Sequence, residues 1–225
     1  MSATTTAVSE SRYSTLARWA SLGGLAYVVL FIVGAILAFG GTPDSDAPPG
    51  EFVAYYGDGG HRTKIAIGWI LVMLGVLCFL WFLARLRDVV AAYGAGFLSS
   101  VVFIGGIVYA ATTTVAISVW TAVATMSDDT FRDRVFPDVI HAAGDAGYVI
   151  HAAGAAGATS MIVAASLAAL VARRLPAWAA WLGVALGIIG LFSIVFFPQA
   201  AIAIWLIAAS VILFVKEPGP LPTSA

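Results

Sequence analysis

Of the 225 residues, 61% are hydrophobic and 10% are charged, with a mean hydropathy of +0.98, against about 45–50% apolar and about 25% charged in soluble domains. That balance excludes a water-soluble globule, and 23 glycines and 9 prolines scattered without period exclude a fibrous chain. A net charge of −1 offers no electrostatic footprint for nucleic acid, and the single Cys78 permits no intramolecular disulfide.

About 20 apolar residues are needed to cross a hydrocarbon core of roughly 30 Å. Six stretches meet that demand, at approximately 19–40, 65–84, 92–124, 139–172, 177–197 and 200–215. They define an all-α membrane bundle, residues 17–216, between an N-terminal tail (1–16) and a C-terminal tail (217–225). The first stretch lacks a small-residue cleavage site and reads as a span rather than a removable signal. Pro198 and Gln199 alone join the last two, a tight turn.

Basic residues set the expected orientation. With the N-terminus inside, Arg12, Arg18, Arg85, Arg87, Arg173, Arg174 and Lys216 face the cytoplasm with Glu10, Asp88 and Glu217. The opposite side holds Arg62, Lys64, Arg132 and Arg134 against Asp44, Asp46, Glu51, Asp58, Asp128, Asp129, Asp133, Asp138 and Asp145. Both termini are therefore expected in the cytoplasm. The absence of Asn and nine Arg to two Lys suit a GC-rich bacterial genome, hence a bacterial inner membrane.

The third and fourth stretches, about 33 residues each, would be roughly 50 Å long as continuous helices, more than tilt absorbs. Their inner ends are pinned by charge, so the surplus projects outward. The outer loop, 41–63, contains Pro48–Pro49–Gly50 followed by Glu51–Phe52–Val53–Ala54–Tyr55–Tyr56, a helix-start pattern. The expectation is a small extracytoplasmic cap in which this segment covers the protruding hairpin.

The fourth stretch repeats itself: HAAGDAG at 141–147 returns as HAAGAAG at 151–157. Its small residues suit close helix packing. At 100° per residue Asp138, His141, Asp145, Tyr148 and Thr159 share one face, and His151 lies about 80° from His141. Ionisable groups at membrane depth are functional candidates, so these six form the candidate polar or relay site. The third stretch adds Thr112, Thr113, Thr114, Ser118 and Thr121, either bonded to their own helix or lining a cavity opposite.

Asp58 with His61, and His141 with Asp145, supply imidazole and carboxylate at similar height, a donor set suited to a divalent metal. No HExxH, CxxC or nucleotide motif is present, and no other cofactor is expected. Ser160 follows His151 by nine residues, about 900°, so the pair forms no dyad within one helix.

The opening Arg18–Trp19–Ala20–Ser21–Leu22–Gly23–Gly24–Leu25–Ala26–Tyr27 through Gly34, together with Leu83–Ala84–Arg85–Leu86–Arg87, resembles a broad group of uncharacterised six-span bacterial integral membrane proteins. The resemblance covers residues 17–90. It implies the architecture and no activity. The expected function is a non-catalytic accessory or ligand- or lipid-binding membrane component, whose partners are the bilayer and a membrane protein or a second copy of the chain. The alternatives are a proton- or ion-linked transporter using the His141, Asp145 and His151 region, and an outer-face metal-binding protein.

Overall fold

The computed structural model describes residues 15–44, 46–128, 136–195 and 197–216. Glu10, Arg12, Asp129, Arg132, Asp133, Arg134, Glu217, residues 1–14 and the C-terminal tail lie outside the described residues. The described residues are helical and contain no strand. The helices are α1 (Gly23–Phe39), α2 (Pro49–Gly57), α3 (Gly59–Ala92), α4 (Gly96–Met126), α5 (Pro137–Val171), α6 (Ala177–Leu191) and α7 (Gln199–Val215). A 3₁₀ turn, Ser193–Val195, follows α6, and a helical turn at residues 15–20 extends α1 into one stretch, Thr15–Phe39.

Four helices are long and apolar enough to cross a membrane: Thr15–Phe39, α3, α4 and α5. The expectation of six is corrected to that extent. Helices α6 and α7, with 15 and 17 residues, reach only about 22 and 26 Å at 1.5 Å per residue. Large apolar side chains such as Ile36, Ile70, Leu77, Ile104 and Ile188 stand exposed around the bundle, as lipid contact requires and water does not tolerate in quantity.

The second expected stretch, 65–84, lies within a longer helix. Helix α3 runs 34 residues, about 51 Å, so three helices rather than two outreach the bilayer. Hydropathy ends where charge begins, at Lys64 and Arg85, but charged residues sustain a helix well. The true start is set by Asp58, whose carboxylate accepts the His61 backbone N–H at 2.8 Å.

Proline marks four of the other starts. Pro49 and Pro137 occupy the first turns of α2 and α5, and Pro176 and Pro198 immediately precede α6 and α7. Between α3 and α4 the chain reverses through Gly94 at φ 76°, a left-handed conformation costly for a side chain.

Packing runs through two close crossings. A Cβ on Gly34 of α1 would meet Gly68 O of α3 at 2.7 Å, and one on Gly68 would meet Gly34 O at 2.5 Å. Gly105 of α4 and Gly157 of α5 are related in the same way, a Cβ on either falling 2.6 Å from the other's carbonyl oxygen. These crossings flank a core of Phe79, Phe82, Leu83, Met161, Ile162 and Leu206. Of the four long helices α5 is the most enclosed, with 61% of its apolar window buried against 33% for Thr15–Phe39.

The two described ends of the chain lie together. Arg18 Nε donates to Phe214 O at 3.3 Å, and Trp19 packs on the Phe214 ring. At the other end of the bundle α2 forms a cap: Phe52, Tyr55 and Tyr56 are buried with Ile65, Val123, Ala124 and Ile140 in a second, separate core. Arg62 ties it down. Its Nη1 donates to the carbonyls of Tyr56, Gly57 and Ser127, and its Nε pairs with Asp128 at 3.7 Å.

Candidate functional site

Rise alone separates the α5 candidates in depth. His151 lies twenty residues before Val171, roughly 30 Å along the helix, whereas Asp145, His141 and Asp138 lie roughly 39, 45 and 50 Å along it. A ten-residue repeat also rotates by about 80°, so its two copies meet different neighbours. Ala155 is buried where its counterpart Asp145 is exposed, and His151 is 6% exposed where His141 is half-buried.

His151 occupies an aromatic box. Phe31 of α1 stacks on the imidazole at 5.5 Å with 15° between planes, and Tyr109 and Trp120 of α4 lie 6.3 and 6.4 Å away. The Gln199 carboxamide, at the start of α7, meets His151 Nε2, whereas Nδ1 is buried without a hydrogen-bond partner. Below the box the hydroxyls of Tyr27 and Tyr109 bond each other at 3.0 Å, joining α1 to α4. Thr113 Oγ1, one turn along α4 from Tyr109, is buried without a hydrogen-bond partner.

The remaining relay candidates go elsewhere. His141 packs edge-on to Phe52 of the cap at 4.8 Å, and Asp138 and Asp145 are exposed. Tyr148 donates its hydroxyl to Ile194 O, and Thr159 donates to Gly187 O at 2.8 Å, so both fasten α5 to the α6 region. The structure thus brings His151 together with groups from α1, α4 and α7, not with His141 or Asp145.

Most hydroxyls on α4 bond back to their own helix: Thr112 to Val108 O, Thr114 to Ala110 O and Thr121 to Ile117 O, at 2.8–2.9 Å. Ser118 accepts from Trp69 Nε1 at 3.3 Å, and with Thr121 it lines a shallow outer groove between α3 and α4. Thr113 alone of these five hydroxyl candidates faces the buried interior.

In the cap, His61 stacks under Tyr55 at 4.2 Å and lies 3.7 Å from Asp58. The aromatic side chains of α2 therefore lie against both His61 and His141. Among the described residues no group of three His, Cys, Asp or Glu is placed to hold a metal ion. The His61 N–H bond holds the Asp58 carboxyl below its ordinary range, and burial pushes the Tyr56 phenol up to about 12.

The terminal end of the bundle is not closed. Helices α3, α5, α6 and α7 diverge around an apolar crevice of about 700 Å³, bounded by Leu86, Val90, Leu186, Trp205 and Leu213, with Tyr93, Arg174 and Lys216 at its rim. The Arg174 guanidinium lies over the Tyr93 ring at 5.5 Å. Burial raises the Tyr93 phenol, and the Arg174 and Arg85 charges oppose that rise. Arg174 is turned toward the crevice by its neighbour: Arg173 adopts φ 53°, and the chain reverses with Arg174 N bonded to Ala169 O at 3.0 Å.

Sequence reasoning missed Gln199, Phe31, the Tyr27–Tyr109 bridge and the crevice. Gln199 carried a signal, since it is the sole carboxamide side chain in the protein and stands in an apolar hairpin. No family model, curated protein or solved structure matches this chain.

Proposed function

We propose that the chain is a non-catalytic protein of the bacterial cytoplasmic membrane that holds an amphiphilic ligand, with six spans and both termini cytoplasmic. The observation that carries this reading is the crevice: an apolar slot of ligand size, within the roughly 300–1,000 Å³ usual for binding clefts, entered past Tyr93, Arg174 and Lys216. Helices α6 and α7 complete the six spans as a short hairpin, with local thinning of the bilayer around it. The cationic side chains grouped at the terminal end support a cytoplasmic placement of that end. The resemblance of residues 17–90 to six-span bacterial membrane proteins supports the same architecture. This function needs no cofactor.

Native mass spectrometry of protein extracted gently from its own membrane tests the proposal. A stoichiometric lipid or other amphiphile is expected, and a chain free of any bound amphiphile refutes it. Arrival with another membrane protein would assign the accessory role.

A second reading, a proton- or ion-linked transporter, rests on His151 Nδ1 and Thr113 Oγ1, buried polar atoms without partners. It requires a pH-driven flux in liposomes that is lost in His151→Phe.

A further inference from the structure

The crevice has a chemical polarity that goes beyond being apolar. Its deep wall is formed by Ala165, Leu186, Trp205 and Gly183 around Ser166, and Ser166 to Arg174 spans eight residues, roughly 12 Å. An alkyl chain entering there lies between four helices rather than on the outer surface of the bundle. The rim is the opposite. Arg174 sits above Tyr93, and Lys216 closes α7 beside it. Among the described residues the carboxylate at this end is Asp88, which lies 3.8 Å from Arg87, and none lies within ion-pair distance of Arg85, Arg174 or Lys216. A rim that carries cations and, among the described residues, no acid paired with them, above an apolar slot, complements one kind of molecule: an anion attached to an acyl chain.

We propose that the crevice seats a single anionic phospholipid, its phosphate held by Arg174 with Lys216 and its acyl chain lying between α3, α5, α6 and α7. Arginine's planar fork meets a phosphate through two parallel hydrogen bonds, and an isolated Lys supplies a point charge. Tyr93, which lines the same crevice, adds a hydroxyl donor. Phospholipid is the source rather than free phosphate, because the rim alone would serve an inorganic ion and would leave the apolar slot without an occupant.

This inference rests on the amphiphile-binding reading and sharpens it, and the two fail differently. Purified protein is equilibrated in micelles holding equal phosphatidylglycerol and phosphatidylcholine, then read by native mass spectrometry. Wild type is expected to retain one phosphatidylglycerol in preference to phosphatidylcholine. In Arg174→Gln that preference falls about tenfold, the loss of one charge-assisted phosphate contact, and in Arg87→Gln, a cation at the same end beside Asp88, it is kept. Thermal unfolding in the same detergent shows whether each variant is folded, and Lys216→Gln supplies a second variant should Arg174→Gln fail to fold. Equal retention of the two lipids, or equal losses in Arg174→Gln and Arg87→Gln, overturns the anionic site and leaves amphiphile binding standing. Retention of neither lipid overturns the anionic site, and a chain that also carries no other amphiphile overturns both. Inorganic phosphate that displaces the lipid at equal concentration overturns the acyl-chain assignment.

Discussion

Two glycines of the repeat on α5 give opposite expectations for the same substitution. A Cβ added at Gly157 would lie 2.6 Å from Gly105 O and 2.9 Å from Tyr109 N, both backbone atoms of α4 that no rotamer change can move. Restoring an ordinary contact of about 3.4 Å requires the helices to separate by most of an ångström, which loosens their interface along the crossing. Overpacking of this kind costs about 1–3 kcal/mol, and the better helix propensity of alanine returns up to about 1 kcal/mol. Gly157→Ala should therefore destabilise by about 1–2 kcal/mol. At Gly144 an added Cβ meets nothing within 4 Å, and Gly144→Ala should stabilise by about 0.5–1 kcal/mol. Reversible unfolding in mixed micelles, followed by near-ultraviolet circular dichroism, reads both. Equal stability of the two variants, or a Gly157→Ala protein as stable as wild type, would refute the argument that backbone contact sets the α4–α5 spacing.

Other expectations follow from single contacts. Gln199→Leu removes the partner of His151 Nε2 and should cost about 1–3 kcal/mol, whereas adding His151→Phe to it should recover most of that loss, measured as a double-mutant cycle by thermal unfolding. Asp58 has a lowered pKa, so its capping contribution is present above the ordinary carboxylate range and is lost as pH falls from about 3.8 through the lowered value; faster His61 amide exchange in acid, absent in Asp58→Asn, checks this. Tyr56 has a pKa raised from 10.0 to about 12, so its contribution to the cap is complete below pH 10 and declines as pH rises through 12; the difference in phenolate absorbance between wild type and Tyr56→Phe locates the midpoint. Arg173→Gly relieves the left-handed backbone at φ 53° and should raise stability by about 0.5–1 kcal/mol, seen as a higher Tm.

The parts of the molecule that sequence makes legible are those governed by neighbours along the chain. Proline at helix starts, the length of α5 and the helical nature of 49–57 all depend on residues within a few turns. The extent of α3 was hidden because the apolar pattern stops at Lys64 while the helix runs on to its Asp58 cap. The His151 surroundings depend on Phe31 and Gln199, 120 and 48 positions away in sequence, and no periodicity on α5 announces them. The rotation of the repeat was legible: equal residues ten apart point about 80° apart, and the two copies do meet different neighbours. The crevice was illegible for a simpler reason, since it is the space left where α3, α5, α6 and α7 fail to converge.

The two reciprocal glycine crossings also imply an order of assembly. Gly34 and Gly68 are 34 positions apart and Gly105 and Gly157 are 52 apart, so each crossing joins helices that leave the ribosome close together in time. Low sequence separation makes such pairs quick to close. The first pair can be sealed before the second has been synthesised, and the second before the α6–α7 hairpin arrives to form the last wall of the bundle. Until that hairpin docks, the imidazole of His151 has no Gln199 to meet.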